Sequence, residues 1–351
     1  MKLKQFIQQE TVLTAAAVLA VVSAFFVPPD AQYLGYIDLR TLAILFSLMT
    51  VMAGLRRQGF FDGLGRVLLS RTHSTFQLTL VLVGLCFFGS MFITNDVSLL
   101  TFVPFTFVVL SRLGADVRRS LLIPVVCMQT IAANLGSMLT PIGNPQNLYL
   151  YGKSGMSIGG FVLLMLPYTL VSLLLLLAWA ALVCRKASAA LSVDELVSSS
   201  ASQGDQKIIL LYLVLFAVCL LSVIRVLPYG IAFAAVLVCV LFADPHTLRA
   251  VDYSLLLTFV AFFIFIGNLG RIPAFSGWLQ EFLTGREVLV AVLASQVTSN
   301  VPAALLLSGF TAETQALIIG TNLGGLGTLI ASMASLISYR QIARELPQGK
   351  K

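Results

Sequence analysis

The sequence has few charged residues and very few side chains that could carry out catalysis. Only 11% of its 351 residues are charged, whereas 58% are hydrophobic, which is far from the balance of a soluble globular domain. It has only two histidines, His73 and His246, and neither has a ligand-like partner nearby in the sequence. A membrane-embedded enzyme would need a set such as a His-x-x-x-His pair or a Ser–His dyad, so an enzyme is not expected.

The cysteines also lack the spacing of a chemical site. None of the five belongs to a CxxC pair, and all fall in apolar segments: Cys86, Cys127, Cys184, Cys219 and Cys239. This pattern favours small hydrophobic side chains packed in helices over disulfides or a metal centre. No cofactor is expected beyond a coupling ion.

Long uncharged runs dominate the chain, and they predict an all-α polytopic membrane protein. The run 11–27 follows Lys2 and Lys4 as in a signal peptide, but the poor cleavage site after Val27 predicts a retained first span. Two shorter paired segments are predicted at 75–111 and 287–310. The predicted spans lie near 11–27, 38–55, 119–150, 157–184, 208–226, 229–243, 252–269 and 313–339.

The basic residues are distributed unequally between the predicted loops. With the N-terminus in the cytoplasm and each paired segment returning to its own side, 17 of the 22 lysines and arginines are cytoplasmic. This asymmetry supports that orientation. The net charge of +7 therefore reflects topology, and no nucleic-acid binding is inferred from it.

Two halves of the chain show the same order of segments. Residues 1–186 and 207–351 flank a predicted cytoplasmic linker, 187–206, that is rich in Ser and Ala. Each half contains a span, a short amphipathic piece, a paired segment and a broken span, in that order. The first unit begins outside and the second inside, which is typical of inverted-topology repeats whose interface holds a binding site. Symmetry also predicts a further span after residue 339, so either that span is absent or the sequence is truncated.

A polar motif divides each paired segment. Thr94, Asn95 and Asp96 divide 75–111, and Ser299 and Asn300 divide 287–310, before Pro302 in the first turn of a helix. A carboxylate in the membrane is costly and normally faces a cavity or a cation, so Asp96 is the leading functional candidate. The alternative is that Asn95 or Asp96 caps a helix starting at Val97, and both roles are compatible.

The broken spans contain the other candidates. Residues 139–147 carry two prolines around Gly143 and cannot form regular helix. Unwound backbone at this depth must be buried or line a polar cavity, where its carbonyls can bind Na⁺ and the helix N-terminus near 144–147 an anion. A surface turn is the alternative. Residues 322–328 match in the second half, with small-residue helix packing as the alternative. No buried Arg or Lys is expected near the motifs, so amides, hydroxyls, helix N-termini and a co-bound cation would hold any anion.

These motifs resemble those of the ion transporter superfamily, which includes divalent anion:sodium symporters, citrate transporters, arsenite permeases and a family of sodium/proton antiporters. The YbiR-like proteins of the bacterial inner membrane are most similar, and the resemblance covers nearly the whole chain. It implies two re-entrant hairpins whose tips meet two unwound helices, and a homodimer whose transport domain moves as an elevator. An acid at Asp96 is unlike the dicarboxylate symporters and resembles the arsenite, antiporter and citrate branches.

The sequence therefore predicts a secondary active transporter of a small anion, a carboxylate or an oxyanion, driven by Na⁺ or H⁺. Sodium/proton antiport and arsenite efflux are the alternatives, and a channel is disfavoured because no continuous polar stripe is present. The predicted cation-coupling residues are Thr94, Asn95, Asp96, Gly143, Ser299 and Asn300, with Na⁺ placed at Asp96, Asn95 and Gly143. The predicted substrate-binding residues are Asn95, Asn134, Asn144, Asn147, Ser299, Asn300, Asn322, Gly324, Gly325 and Thr328.

Overall fold

The computed structural model describes residues 10–69, 72–111, 113, 115–185 and 204–345, and these residues are predominantly helical. The helices, numbered in chain order, are α1 (Thr11–Phe26), α2 (Tyr33–Tyr36), α3 (Leu39–Arg57), α4 (Phe60–Leu69), α5 (Thr75–Ile93), α6 (Asn95–Ser111), α7 (Ala115–Ser137), α8 (Pro145–Ser154), α9 (Ile158–Cys184), α10 (Gln206–Val223), α11 (Tyr229–Ala243), α12 (Tyr253–Gly270), α13 (Pro273–Leu283), α14 (Glu287–Thr298), α15 (Asn300–Ser308), α16 (Thr314–Leu323) and α17 (Met333–Glu345). A 3₁₀-helix, Pro245–Ala250, precedes α12.

Six of the described helices are long and apolar enough to cross a membrane: α3, α5, the part of α7 from Val117, α9, α10 and α12. Shorter apolar helices include α1, α6, α11 and α14. The prediction of an all-α polytopic membrane protein is confirmed. The first paired segment has its predicted bounds, 75–111, and its first helix, α5, has 19 residues and could cross by length alone. Its re-entrant insertion stays a prediction.

The predicted linker 187–206 lies outside the described residues except for its last three. Of these, Gln206 already begins α10, and the Asp205 amide donates to the Gln58 side chain at 3.1 Å. Residues 1–9 and 346–351 also lie outside the described part of the chain. Both predicted breaks are present: α7 ends at Ser137 before α8 begins at Pro145, and α16 ends at Leu323 before α17 begins at Met333.

The core of the first half is the contact of α5 and α6 with α7. At Gly136 the backbones of α7 and α5 are so close that an added Cβ would lie 2.0 Å from the Phe87 carbonyl oxygen. The buried Gln129 of α7 also bridges the pair, because its amide donates to Leu82 of α5 and its oxygen accepts from Thr106 of α6. Close backbone contact and satisfied polar groups are what hold helices together where lipid removes the hydrophobic driving force.

In the second half, α14 packs against α16 through small residues. An added Cβ at Gly320 would lie 2.6 Å from the Cβ of Ala291, and one at Gly324 would lie 2.8 Å from the Cβ of Ser295. Gly324 therefore makes the close helix contact that the small-residue alternative predicts, and its substrate-binding role stays a prediction. Gly325 and Gly327 follow inside the break.

The two halves also match in local geometry. Asp38 caps α3 with φ −78° and ψ 87°, and Asp252 caps α12 with φ −79° and ψ 84°. Each carboxylate accepts a hydrogen bond from the amide three residues later, Thr41 or Leu255. The short helices that follow, α4 and α13, lie where the sequence predicted amphipathic pieces. Equivalent residues therefore begin equivalent helices in both halves.

Polar contacts join loops that the predicted topology places on the same side. On one side, Arg271 pairs with Asp30 at 2.8 Å, and Arg225 donates to the Tyr151 carbonyl at 3.1 Å. On the other, Arg57 pairs with Asp244 at 3.2 Å. These contacts agree with the loop assignment from basic residues, and the N-terminal orientation itself stays a prediction.

The close approach at Gly136 predicts a large difference between two glycine substitutions. Gly136→Ala must push α7 from α5, so we expect its apparent melting temperature to fall by roughly 3–10 °C. Gly84→Ala, on the same helix pair, meets nothing nearer than a Phe88 ring atom at 4.0 Å and should be neutral or slightly stabilising. Thermal unfolding in detergent compares the two variants, and equal melting temperatures would contradict the packing described.

Candidate functional site

Each hairpin turns at one residue held in an unusual backbone conformation. Thr94, between α5 and α6, has φ 66° and ψ 151°, and Ser299, between α14 and α15, has φ 79° and ψ 154°. Positive φ is uncommon for residues with a Cβ and persists only where the surroundings enforce it. The amide of the next residue shows what enforces it in each half. Asn95 donates to the Gly143 carbonyl at 3.0 Å, and Asn300 donates to the Ala331 carbonyl at 3.0 Å.

The bond from Asn95 to Gly143 lies at the start of α6, which begins earlier than the cap hypothesis predicted. α6 starts at Asn95 instead of Val97, and the Asn95 side-chain oxygen accepts from the Asp96 amide at 2.9 Å. Asp96 does not act as the cap, because its Oδ1 is buried and has no hydrogen-bond partner among the described residues. Ser299 occupies the cap position of α15 without a side-chain cap bond.

The first break is closed by its own side chains. Gly143 passes so close to the end of α7 that an added Cβ would lie 2.0 Å from the Ser137 carbonyl oxygen. Asn144 then caps α8 by accepting from the Asn147 amide, with Pro145 as the first helical residue. The Asn147 side chain reaches back to the Thr140 carbonyl at 3.2 Å. The unwound segment is therefore buried backbone and not a surface turn.

The second break depends on Gln296 of α14, which the sequence analysis missed. Its amide nitrogen donates to the Gly324 and Leu326 carbonyls, both at 2.8 Å, and its oxygen accepts from the Thr328 amide. The sequence signal that could have indicated this role is a glutamine three positions before the turn, in a mostly apolar helix. Thr328 is exposed and bonded to Gln296, so the structure places it at the outer edge of the break.

Buried amides join the two halves at the centre. The Asn134 oxygen of α7 accepts from the Asn95 side chain at 3.1 Å and from Ser332 at 2.8 Å. Asn322 of α16 accepts from Asn144 at 3.1 Å and donates to Asn147 at 2.6 Å. Gly325 lies beside the same cluster, since an added Cβ would lie 3.1 Å from the Asn300 side-chain nitrogen. The structure thus brings most of the predicted asparagines together, and many of their donors are used on one another.

A cavity of about 410 Å³ opens beside this cluster. Among the predicted residues, Thr94, Asp96 and Asn144 line it. Its wall also contains Arg56 and Arg57, at the end of α3. Both are exposed residues, so they do not contradict the expectation that no buried Arg or Lys lies near the motifs. Arg56 donates to the Leu100 carbonyl at 3.3 Å, whereas Arg57 is paired with Asp244.

A smaller cavity of about 120 Å³ lies on the other side of Asp96. Ser299, Val301 and Pro302 of the second tip line it, together with Asp252. Asp96 and Asp252 also line the larger cavity. Asp96 therefore stands between two cavities, each containing part of one hairpin tip.

The donors at Asp96 suit a monovalent cation or a proton. The turn at Thr94–Asp96 offers one carboxylate and the hydroxyl of Thr94, and Gly143 supplies a carbonyl that also accepts from the Asn95 amide. The Asp252 carboxylate lines the same cavity. Within the described ranges, no three His, Cys, Asp or Glu side chains converge, as a transition-metal site would require. A hard oxygen set with one negative charge fits Na⁺, and the orphaned Oδ1 has a free position for it or for a proton.

Comparison with known proteins identifies the family. The citrate transporter family matches residues 6–337. An inner membrane protein of Escherichia coli, YbiR, is 32% identical over 90% of this chain and 84% of its own length. An uncharacterized transporter of Methanocaldococcus jannaschii is 31% identical over 87% of this chain and 81% of its own. A silicon efflux transporter of Oryza sativa is 31% identical over 39% of this chain and 27% of its own. The chain is a membrane transporter that belongs to the citrate transporter family.

Proposed function

We propose that this protein is a secondary active transporter of the bacterial inner membrane, moving a small carboxylate or oxyanion with Na⁺ or H⁺. The observation that carries the proposal is the larger cavity, where a carboxylate with a buried unpartnered oxygen, an arginine and a helix N-terminus meet. Opposite charges in one cavity suit a carrier that binds a cation and an anion together. The inner-membrane location is taken from the similarity to YbiR.

Asp96 is the centre of the proposed cation site. Burying a carboxylate without a partner is expensive, and the cost falls when a cation binds or a proton neutralises the charge. No ion pair among the described residues involves Asp96. Thr94 and the backbone at Gly143 lie next to it, so the proposed Na⁺ ligands are these groups, with Asn95 holding the turn.

The proposed anion site lies in the same cavity as the proposed cation site. Asn144 and Pro145 bring the N-terminus of α8 to the cavity, where backbone amides favour negative charge. Arg56 adds a full positive charge, and its guanidinium makes one bond to a backbone carbonyl, which leaves further donors for an anion. Asn134, Asn147 and Asn322 hydrogen-bond within the central cluster, so we propose that they hold the site together and that Asn144 faces the substrate.

The matched turns support an alternating mechanism. Each tip has one residue with a positive φ angle, Thr94 or Ser299. In each half, the amide of the next residue donates to a carbonyl in the break of that half. Such pairing is expected of inverted repeats whose re-entrant hairpins exchange roles as a site opens to each side. We propose an elevator-type movement in a homodimer with a cytoplasmic N-terminus, as the superfamily resemblance implies.

The alternative is sodium/proton antiport or arsenite efflux. Two carboxylates, Asp96 and Asp252, line both cavities, and this acidic pair favours a cation as the main substrate. In sodium/proton antiport, Na⁺ and pH would change the thermal stability of the protein, and no anion would change it further. An additional rise in thermal stability with an anion therefore separates anion transport from antiport.

The first functional prediction concerns Asp96. Thermal stability of the purified protein, titrated with Na⁺ against choline at two pH values, should rise with Na⁺ because a bound ion stabilises the folded state. One anion from a panel of citrate, succinate, arsenite and sulfate should deepen the shift. Asp96→Asn removes the charge at nearly constant volume, so we expect it to abolish the Na⁺-dependent shift and cation-coupled flux in proteoliposomes.

Asp62→Asn is the matched control, because Asp62 lies in the first turn of α4 and lines neither cavity described above. It should keep the wild-type Na⁺ response. Unchanged coupled flux in Asp96→Asn would refute the proposed role of Asp96. Flux that does not saturate with substrate in the wild type would instead indicate a channel.

The second functional prediction concerns Arg56. Replacing it with Gln removes the positive charge from the proposed anion site. The half-saturating anion concentration should then rise by about tenfold, as expected for loss of one charge-assisted hydrogen bond. Arg119→Gln removes an exposed arginine of α7 and should leave that concentration unchanged. If both variants bind the anion like the wild type, Arg56 is not part of the anion site.

A further inference from the structure

Asp252 begins α12 in the second half, yet it faces the same two cavities as Asp96 of the first half. It is exposed, and its Oδ1 accepts from the Leu255 amide at 2.9 Å. Its counterpart Asp38 caps α3 with nearly the same backbone angles but is not among the cavity-lining residues. Capping therefore accounts for both aspartates, and the cavity position is what distinguishes Asp252.

The charges around Asp252 leave it available to a cation. In the larger cavity Arg57 is held by Asp244 and Arg56 donates to the Leu100 carbonyl. In the smaller cavity Glu10 and Arg340 carry opposite charges. None of the ion pairs between described residues includes Asp252 or Asp96. Apart from these opposite charges, the two carboxylates outnumber the one arginine, Arg56, that has no ion pair among the described residues, so the region keeps a net negative charge. The buried Oδ1 of Asp96 is the atom within it that lacks a partner.

We propose that Asp252 is the entry carboxylate of the cation site, which concentrates Na⁺ at the cavities and raises its affinity for Asp96 without replacing it as the ligand. This inference rests on the proposed function. An exposed charge at the mouth of a low-dielectric cleft attracts counter-ions through its field. Since its attraction is screened by salt, its effect should weaken at high ionic strength, whereas direct ligands are screened much less.

The test is a Na⁺ titration of thermal stability with full-length protein. Asp252→Asn keeps a good helix cap while removing the charge. We expect the half-maximal Na⁺ concentration to rise about three- to tenfold, with the maximal shift retained, as for loss of one nearby partly screened charge. Asp252→Glu should behave like the wild type. Asp38→Asn, the matched cap variant, should leave the Na⁺ midpoint unchanged.

A second titration with added choline chloride separates an electrostatic role from a structural one. The difference between wild type and Asp252→Asn should shrink as choline chloride rises, because screening removes only the long-range attraction. If Na⁺ stabilises the wild type and the half-maximal Na⁺ concentration of Asp252→Asn is the same, the inference is overturned and the proposed function stays intact. A wild type that responds to pH alone overturns the inference and leaves proton coupling. A wild type that responds to neither refutes both.

Discussion

The structure depends on one constraint, that a backbone amide or carbonyl buried away from water must find a partner inside the protein. A helix satisfies its own backbone, but this chain interrupts two helices beside the polar cluster. Each break is satisfied by its own hairpin tip, through Asn95 on Gly143 and Asn300 on Ala331. The tips are held in a strained conformation by the same bonds. Neither the breaks nor the turns would be stable without the other.

The second constraint is the cost of burying charge, and it is not met by internal hydrogen bonds as the backbone polar groups are. The amides of the centre satisfy one another, whereas Asp96 keeps a buried oxygen without a partner. Of the described buried side-chain atoms without a partner, this oxygen is the one whose residue lines both cavities. A cation or a proton bound there would remove the cost of leaving it unpaired.

Much of the fold could be predicted from the sequence because the signals were local. Hydrophobic runs gave the long helices, and proline and glycine between 139 and 147 gave the first break. The halves could be aligned because tips, short helices and breaks recur in the same order. The start of α6 was wrong, since the turn before it depends on a bond from Asn95 to Gly143, far along the chain.

The site could be predicted only in part for the same reason. The asparagines were recognised by residue type, but which of them face a cavity depends on packing between distant helices. Gln296 and Arg56 were missed because their positions are defined by long-range contacts. Gln296 bonds to carbonyls 28 and 30 residues away, and Arg56 bonds to a carbonyl 44 residues away. Single-sequence patterns carry no information on such contacts.

The shared acceptor at Asn134 has a consequence for energetics. Its side-chain oxygen accepts hydrogen bonds from Asn95 of the first tip and from Ser332. Ser332 directly follows Ala331, whose carbonyl accepts from the amide of Asn300 in the second tip. Each such bond is worth about 0.5–1.5 kcal/mol, so a ligand that strengthens or breaks one of them alters the energy of the other. By linkage that influence is reciprocal. Two ligands bound at separate tips, without touching, would thus alter each other's affinity through a single amide.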